Sequence, residues 1–248
     1  MDAMRLPLRF FATARANGAE LRPFTEVVGV LRGGVTVNGV VVRDHLSGRD
    51  GVIGADLVVN AAGPWCGRVA RWAGVEVPVR PSPGVLLALR GRLCGLVVNR
   101  LHRAGDGDIV LPQRNLSIVG TSSWVVDDPD DLEVPADHVA AMFREGARLV
   151  PAVATATVRA AWSAARPLVG AAGAATGREL SRTFKCFDHA DDGVEGLVTI
   201  TGGKATTLRG MAEAAADLVC AKLGVEAPCR TRETVLLPHT AFYTRRVA

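Results

Sequence analysis

Residues 199–210 read Thr-Ile-Thr-Gly-Gly-Lys-Ala-Thr-Thr-Leu-Arg-Gly, an apolar β-branched run that gives way to a glycine pair, a lysine and two hydroxyls. Glycines let an anion approach backbone N–H groups, and a helix N-terminus carries partial positive charge, so the stretch has the chemistry of an anion cradle. A nucleoside-triphosphate loop needs G-x-x-x-x-G-K-[ST]. Here Val198 stands at the first glycine, and Ala205 replaces the hydroxyl that would hold magnesium, so ATP hydrolysis is not expected. A lysine in the first helical turn faces the positive end of the macrodipole, which costs about 0.3–1 kcal/mol when exposed. A bound anion reverses that sign. Lys204 is therefore either an ordinary surface lysine beside a glycine turn or an anion ligand, and Thr206 and Thr207 are candidate first-turn caps.

Two other stretches carry the same kind of chemistry. Proline holds the residue before it extended, so Arg166-Pro167 fixes where the Arg166 guanidinium leaves the backbone, and that planar fork suits phosphate or carboxylate. The alternative is a solvated or salt-bridged arginine, since only three of the 29 basic residues are lysines and arginine is everywhere. The strand end Asn60-Ala61-Ala62-Gly63-Pro64-Trp65 offers small residues at the carboxyl edge of an expected parallel sheet, where ligands of open α/β sheets gather; tight strand-on-helix packing explains it as well. The histidines at 45, 102, 138, 189 and 239 show no metal-binding spacing. His102, between Arg100 and Arg103, is the one placed in a loop crowded with polar groups, as an acid/base candidate or a solvated histidine. The acidic run 127–133 reads as a solvated lead-in to a helix. Five cysteines without C-x-x-C fit neither a disulfide framework nor a zinc site, and no metal is expected.

These residues need elements to position them. At 248 residues and 48% hydrophobic, the chain can bury a full core and suits two closely joined lobes. Its +4 charge is scattered rather than striped, which argues against nucleic acid. No apolar run approaches the roughly 18 residues of a membrane span and no signal peptide is evident, so a cytoplasmic location is expected. Periodicity predicts a helix over 3–17, a small antiparallel meander through about residue 48, a strand at Leu57–Val59 buried on both faces, and a helix from Pro64 to about Trp72. Strands at short intervals follow between 75 and 163, interrupted by a helix over 136–149. A strand over 196–201 then precedes a helix starting near Lys204, with Leu208, Met211, Ala215, Leu218 and Val219 on one face, and an extended arm closes the chain.

In this order the segments GVVVRDHLSG, LVVNAAGPW, NRLHRAGDGDIVLP, LSIVGTSS, VRAAWSAARPLVG and LVTITGGKATTLRG resemble the FAD-dependent glycerol-3-phosphate dehydrogenases, in the manner of the anaerobic enzymes. The resemblance spans nearly the whole chain. It implies a mixed α/β, D-amino-acid-oxidase-like fold, with a partial FAD-binding domain and meander over 1–75, an antiparallel substrate domain over 76–165, a return to the FAD-binding domain over 166–235, and a tail over 236–248. It also implies FAD as cofactor and oxidation of sn-glycerol 3-phosphate to dihydroxyacetone phosphate by hydride transfer to the flavin.

Carried over residue by residue, Arg166 and Lys204 look like the cations for the substrate phosphate, joined at the substrate by Arg100, His102 and Thr206. Lys204, Arg166 and His102 become the candidate catalytic groups. Gly202, Gly203, Lys204, Ala205 and Thr206 correspond to the helix start that meets the flavin pyrimidine, and Ala61, Ala62 and Gly63 to a second flavin-contacting strand end.

Two departures shape the expectation. The chain has no G-x-G-x-x-G, with which the family opens, and it stops where the anaerobic enzymes continue into a cysteine-rich domain; Leu208 stands where tyrosine is common. The chain is thus expected to be the substrate-side portion of such an enzyme, incompetent alone. Its partners would be other dehydrogenase subunits or a complementing N-terminal segment, with any membrane met indirectly, at the inner face, through those subunits. The rivals are another flavin oxidoreductase of the same fold, or a non-catalytic remnant that binds a partner through a sheet edge.

Overall fold

A computed structural model describes residues 4–101, 105–170 and 183–244. Helix α1 (Arg5–Ala16) leads into an antiparallel meander of β1 (Thr25–Gly33), β2 (Thr36–Asp44) and β3 (Arg49–Gly54). The third meander strand, Arg49–Gly54, lies beyond the two runs read from sequence: it is polar and exposed along most of its length, so periodicity has little to register.

A second sheet has the order β10-β11-β4, built from β4 (Val58–Asn60), β10 (Lys185–Asp188) and β11 (Leu197–Thr201). β4 and β11 are parallel, with Val58 opposite Leu197 and Asn60 opposite Thr199, whereas β10 runs antiparallel to β11. One face of this sheet packs on α2 (Cys66–Trp72) and the meander, giving a core of Val37, Cys66, Ala70, Val77, Val194 and Leu197. The other face receives α4 (Leu208–Leu223), which is tied to β10 by Lys222 Nζ bonding both Asp188 carboxylate oxygens at 2.8 and 2.9 Å. β4 is an edge strand, and Val59 is 41% exposed, so the expected burial on both faces is met on one face only.

The third sheet is antiparallel, of order β6-β7-β8-β5-β9, from β5 (Val79–Arg90), β6 (Val98–Asn99), β7 (Ile109–Gln113), β8 (Leu116–Gly120) and β9 (Val158–Val169). Helix α3 (Ala136–Leu149) lies on it over a second core of Val85, Leu87, Leu89, Val119, Met142 and Val153. β5 holds Pro81 and Pro83 in its first half, which pairs with β9 but lies outside the β8 ladder of Leu86–Arg90. It tolerates them because their carbonyls still accept, from Val126 N at 3.1 Å and Trp124 N at 3.3 Å, where no proline N–H is required.

The acidic run is more than a lead-in. Arg68 of α2 bonds Asp128 and Asp130 at 3.1 and 2.8 Å, and the Trp65 indole donates to Asp130 at 2.8 Å. The closing arm turns into a short helical turn, His239–Phe242, whose Phe242 ring packs on Phe11 of α1.

Candidate functional site

Because β4 and β11 are parallel neighbours, their carboxyl ends emerge at one edge of the sheet, and the two glycine-bearing stretches come out side by side. After β4 the chain passes through exposed Ala61 and half-buried Ala62 to Gly63, whose φ of +58° lies in the left-handed region. After β11 it turns through Gly202 and Gly203, with φ of +83° and +77°. A Cβ on Gly202 would sit 2.6 Å from Thr183 O and 3.0 Å from Val169 Cγ2, and one on Gly203 would overlap Met211 Sδ. Only glycine satisfies both the conformation and the space. Val169, at the end of β9, thus packs against the turn, and the Gly63–Trp65 turn also touches β9. Arg166 lies three residues earlier on β9.

A buried polar chain fixes the β4 end. Asn60 donates from Nδ2 to Cys66 O at 2.8 Å and to Thr199 Oγ1 at 3.2 Å, and its Oδ1 accepts from Ala62 N–H at 3.3 Å. Thr199 Oγ1 meets His189 Nε2 at 2.8 Å, and His189 Nδ1 meets Asp192 at 2.8 Å. Sequence reasoning does not single these groups out; the available signal is an asparagine closing an otherwise apolar strand, since a buried amide needs partners. Beside it, Thr201 buries its hydroxyl against the Cys66 thiol, which burial pushes above its ordinary value. Such a thiol is inert rather than nucleophilic.

Lys204 precedes α4 by one turn instead of opening it. Thr207 accounts for the difference: its hydroxyl accepts from Lys204 N–H at 3.0 Å and donates to Lys204 O at 2.9 Å, closing a turn before the helix begins at Leu208. Lys204, Ala205 and Thr206 are exposed, and neither the Lys204 ammonium nor the Thr206 hydroxyl has a hydrogen-bond partner among the described residues.

The Arg166 fork is engaged within its own sheet. Nη1 donates to Ser82 O and Pro83 O, each at 3.2 Å, and Nη2 donates to Thr121 Oγ1 and to Ser122 O at 3.4 Å. Gly84 makes room for it, because a Cβ there would overlap the guanidinium. Arg100 turns toward α3, bonding the Glu145 carbonyl at 3.1 Å and its carboxylate at 3.0 Å, with Asp108 at 3.5 Å. It therefore stitches the loop that follows β6 to that helix. Hydrogen bonding by Arg100, joined by Arg148, holds the Glu145 carboxyl below its usual range despite some desolvation. His102 lies outside the described residues.

The carboxyl edge thus offers left-handed glycines, small residues permitting close approach, and an unengaged ammonium and hydroxyl. That set fits the ring end of a flavin and a small anion. Among the described residues no cluster suits a metal ion.

Parallel strand ends meeting at such an edge are where open α/β sheets take their ligands, and the fold is of the D-amino-acid-oxidase type. The chain belongs to the FAD dependent oxidoreductase family, which it matches over residues 1–218. It is 40% identical over 239 residues to the A subunit of the anaerobic glycerol-3-phosphate dehydrogenase of Escherichia coli (strain K12), a match covering 95% of this chain and 44% of that protein. The structure of the glycerol-3-phosphate dehydrogenase from Bacillus halodurans complexed with FAD superposes with a TM-score of 0.76 at 26% identity, over 93% of this chain and 45% of that one. Glycine oxidase from Geobacillus kaustophilus shares the fold, with a TM-score of 0.61 at 21% identity over 90% of this chain and 55% of its own. The chain spans about half the length of the proteins it matches.

Proposed function

We propose that this chain is the substrate-side part of an enzyme that oxidises sn-glycerol 3-phosphate to dihydroxyacetone phosphate. The observation that carries the reading is the exposed, unengaged Lys204 ammonium at the carboxyl edge of β4 and β11, one residue beyond two left-handed glycines. FAD, when bound, supplies the two-electron acceptor. Ala61–Gly63 and Gly202–Thr206 would hold its ring end through backbone contacts.

Lys204 gives the substrate phosphate a point charge, and Thr206 adds a hydroxyl. Arg166 presents a guanidinium already oriented by Ser82, Pro83 and Thr121, so it adds fixed positive charge to the pocket without a flexible search. The named relatives support this substrate class over the amino acid of glycine oxidase, because the 40% identity is to a glycerol-3-phosphate dehydrogenase subunit, while glycine oxidase shares 21%. We extend the reading to partnership with other dehydrogenase subunits, and to contact with a membrane only through them. Among the described residues no helix is long and apolar enough to cross one.

The test is equilibrium binding in the presence of FAD and a complementing flavin-binding segment. Glycerol 3-phosphate should bind and glycerol should not. Lys204→Ala removes one charge-assisted contact, worth about 1.5–3 kcal/mol, and should weaken glycerol 3-phosphate roughly 10- to 100-fold. Equal binding of glycerol and glycerol 3-phosphate, or an unaffected Lys204→Ala variant, overturns the reading.

A further inference from the structure

His189 is fully buried, and the proposed reaction makes no use of it. It opens the short helical turn His189–Asp192 that links β10 to β11, a turn capped by the Asp188 carboxylate, which accepts from Ala190 N–H at 3.1 Å. Its two ring nitrogens meet Thr199 Oγ1 and Asp192 Oδ2, each at 2.8 Å.

The direction of every hydrogen bond here follows from the Asn60 amide. One end of it faces Cys66 O at 2.8 Å and Thr199 Oγ1 at 3.2 Å, and the other faces the Ala62 N–H at 3.3 Å. A carbonyl only accepts and an N–H only donates, so the end toward Cys66 and Thr199 is the Nδ2 donor. Thr199 Oγ1 thus accepts from Asn60 and meets no third group among the described residues, which leaves its proton for His189 Nε2. That nitrogen is then the acceptor, and Nδ1 carries the ring proton and donates to Asp192. Four hydrogen bonds run one way, from Ala62 N–H through Asn60, Thr199 and His189 to a carboxylate whose side chain is 51% exposed. Carboxylate, imidazole and hydroxyl in this order are the parts of a hydrolase triad. Thr199 is fully buried with its hydroxyl engaged on both sides, so it offers no nucleophile.

We propose that Thr199, His189 and Asp192 are positioning residues for the β4 end of the site. They hold the Asn60 amide with Oδ1 toward the Ala62 N–H, and that bond, from a side chain to the backbone two residues on, closes the turn through residues 61–63. β4 is an edge strand of only three residues, so its own ladder gives the turn little support. The Asp192 carboxylate selects the Nδ1–H tautomer. In the other tautomer Nε2–H and the Asn60 amide would both point at Thr199 Oγ1, and the Thr199 proton would be buried without an acceptor. A half-exposed acid four hydrogen bonds away thereby sets the turn. Its effect on the turn stands on this geometry alone, and its effect on flavin rests on the proposed function.

Imidazole nitrogen NMR of the chain alone should show His189 protonated on Nδ1 and bare on Nε2, and Asp192→Ala should move the proton toward Nε2. Amide exchange at Ala62, referred to that of Val119 in the second core, should quicken roughly tenfold in Asp192→Ala and in Thr199→Val, as for the loss of one hydrogen bond. Asp191→Ala, exposed beside Asp192 but outside the chain of bonds, should match the parent. Thr199→Ser keeps the hydroxyl and loses a methyl, while Thr199→Val does the reverse, so protection of Ala62 should survive in Thr199→Ser. With FAD and a complementing flavin-binding segment, Asp192→Ala should bind FAD roughly tenfold more weakly than Asp191→Ala, because its turn is no longer preorganised. The proposal is overturned by a parent His189 protonated on Nε2, by parent-like exchange at Ala62 in Asp192→Ala, by faster exchange there in Thr199→Ser than in Thr199→Val, or by equal FAD affinity in the two aspartate variants. Discrimination between glycerol 3-phosphate and glycerol is read on the unaltered chain, so the proposed reaction and the positioning role fail separately.

Discussion

At the scale of single residues, what separates the carboxyl edge from an ordinary strand end is the pair Gly202-Gly203. The strained conformation and the missing space act together at Gly203: φ is +77°, and Met211 of α4 occupies the place of a Cβ. Gly203→Ala should therefore destabilise the fold by about 1–3 kcal/mol, the sum of left-handed strain and displaced packing. Gly210 is the internal control. It sits inside α4 with nothing within 4 Å of where a Cβ would go, so Gly210→Ala should stabilise the helix by roughly 0.5–1 kcal/mol. Urea denaturation read by circular dichroism should move the two midpoints in opposite directions. Two shifts of the same sign would mean that the Gly203 turn relaxes freely, and it would then be no cradle.

At the scale of elements, the clamp between α4 and β10 makes a prediction with a definite pH window. Partial burial pushes the Asp188 carboxyl up, but the Lys222 ammonium and the Ala190 N–H outweigh it, and the net shift is downward. Lys222 is correspondingly raised, mainly by its hydrogen bond to Asp188. A carboxylate whose folded value lies below its unfolded one, about 3.9, contributes stability that is fully present above that value and is lost as pH falls through the folded value. Asp188→Asn should cost about 1–2 kcal/mol at pH 7, between an exposed and a fully buried pair, and should flatten the acid limb of the stability curve below about pH 4. An acid limb identical to the parent's would remove the clamp from the energetics.

The same pair explains what sequence can and cannot show. α3 is legible over its full span because its apolar face repeats locally, and the parallel strand ends are legible because small residues follow β-branched ones. β10 is not, since Lys185-Cys186-Phe187-Asp188 puts an aspartate on a covered face, and the lysine that satisfies it lies on α4, far along the chain. Sequence places the start of α4 four residues early for a similar reason: nothing in Lys-Ala-Thr-Thr announces that the Thr207 hydroxyl closes a turn back on Lys204. At the site, residue types are legible and their engagement is not. The carbonyls that hold Arg166 come from β5 and from the segment after β8, a pairing that only the register specifies.

At the scale of the whole molecule, two cores meet across a small polar seam. The core around α2 holds the two parallel strand ends, and the core under α3 belongs to the antiparallel sheet that carries Arg166. Besides β5, which runs from Val79 against the first core to Val85, Leu87 and Leu89 in the second, with β9 paired along it, the seam is pinned where Arg68 takes both Asp128 and Asp130, and Trp65 donates to Asp130. Isolated exposed ion pairs contribute little, but a guanidinium shared by two carboxylates, one of them also bonded by an indole, is a network whose members orient one another. The Asp130 carboxyl is accordingly held below its ordinary value, first by Arg68 and then by Trp65. The tryptophans provide separate reporters: Trp72 beside the first core, and Trp124 packed against the second. In variants that keep Trp65 together with either Trp72 or Trp124 alone, at low salt, both reporters should follow one urea transition. Arg68→Ala should separate their midpoints by about 0.5 M, and 1 M salt should reproduce part of that separation in the parent by screening the seam. Midpoints that coincide in the Arg68→Ala variant would show that β5, β9 and the apolar contacts alone couple the two cores, and that the site's geometry owes nothing to the acidic run.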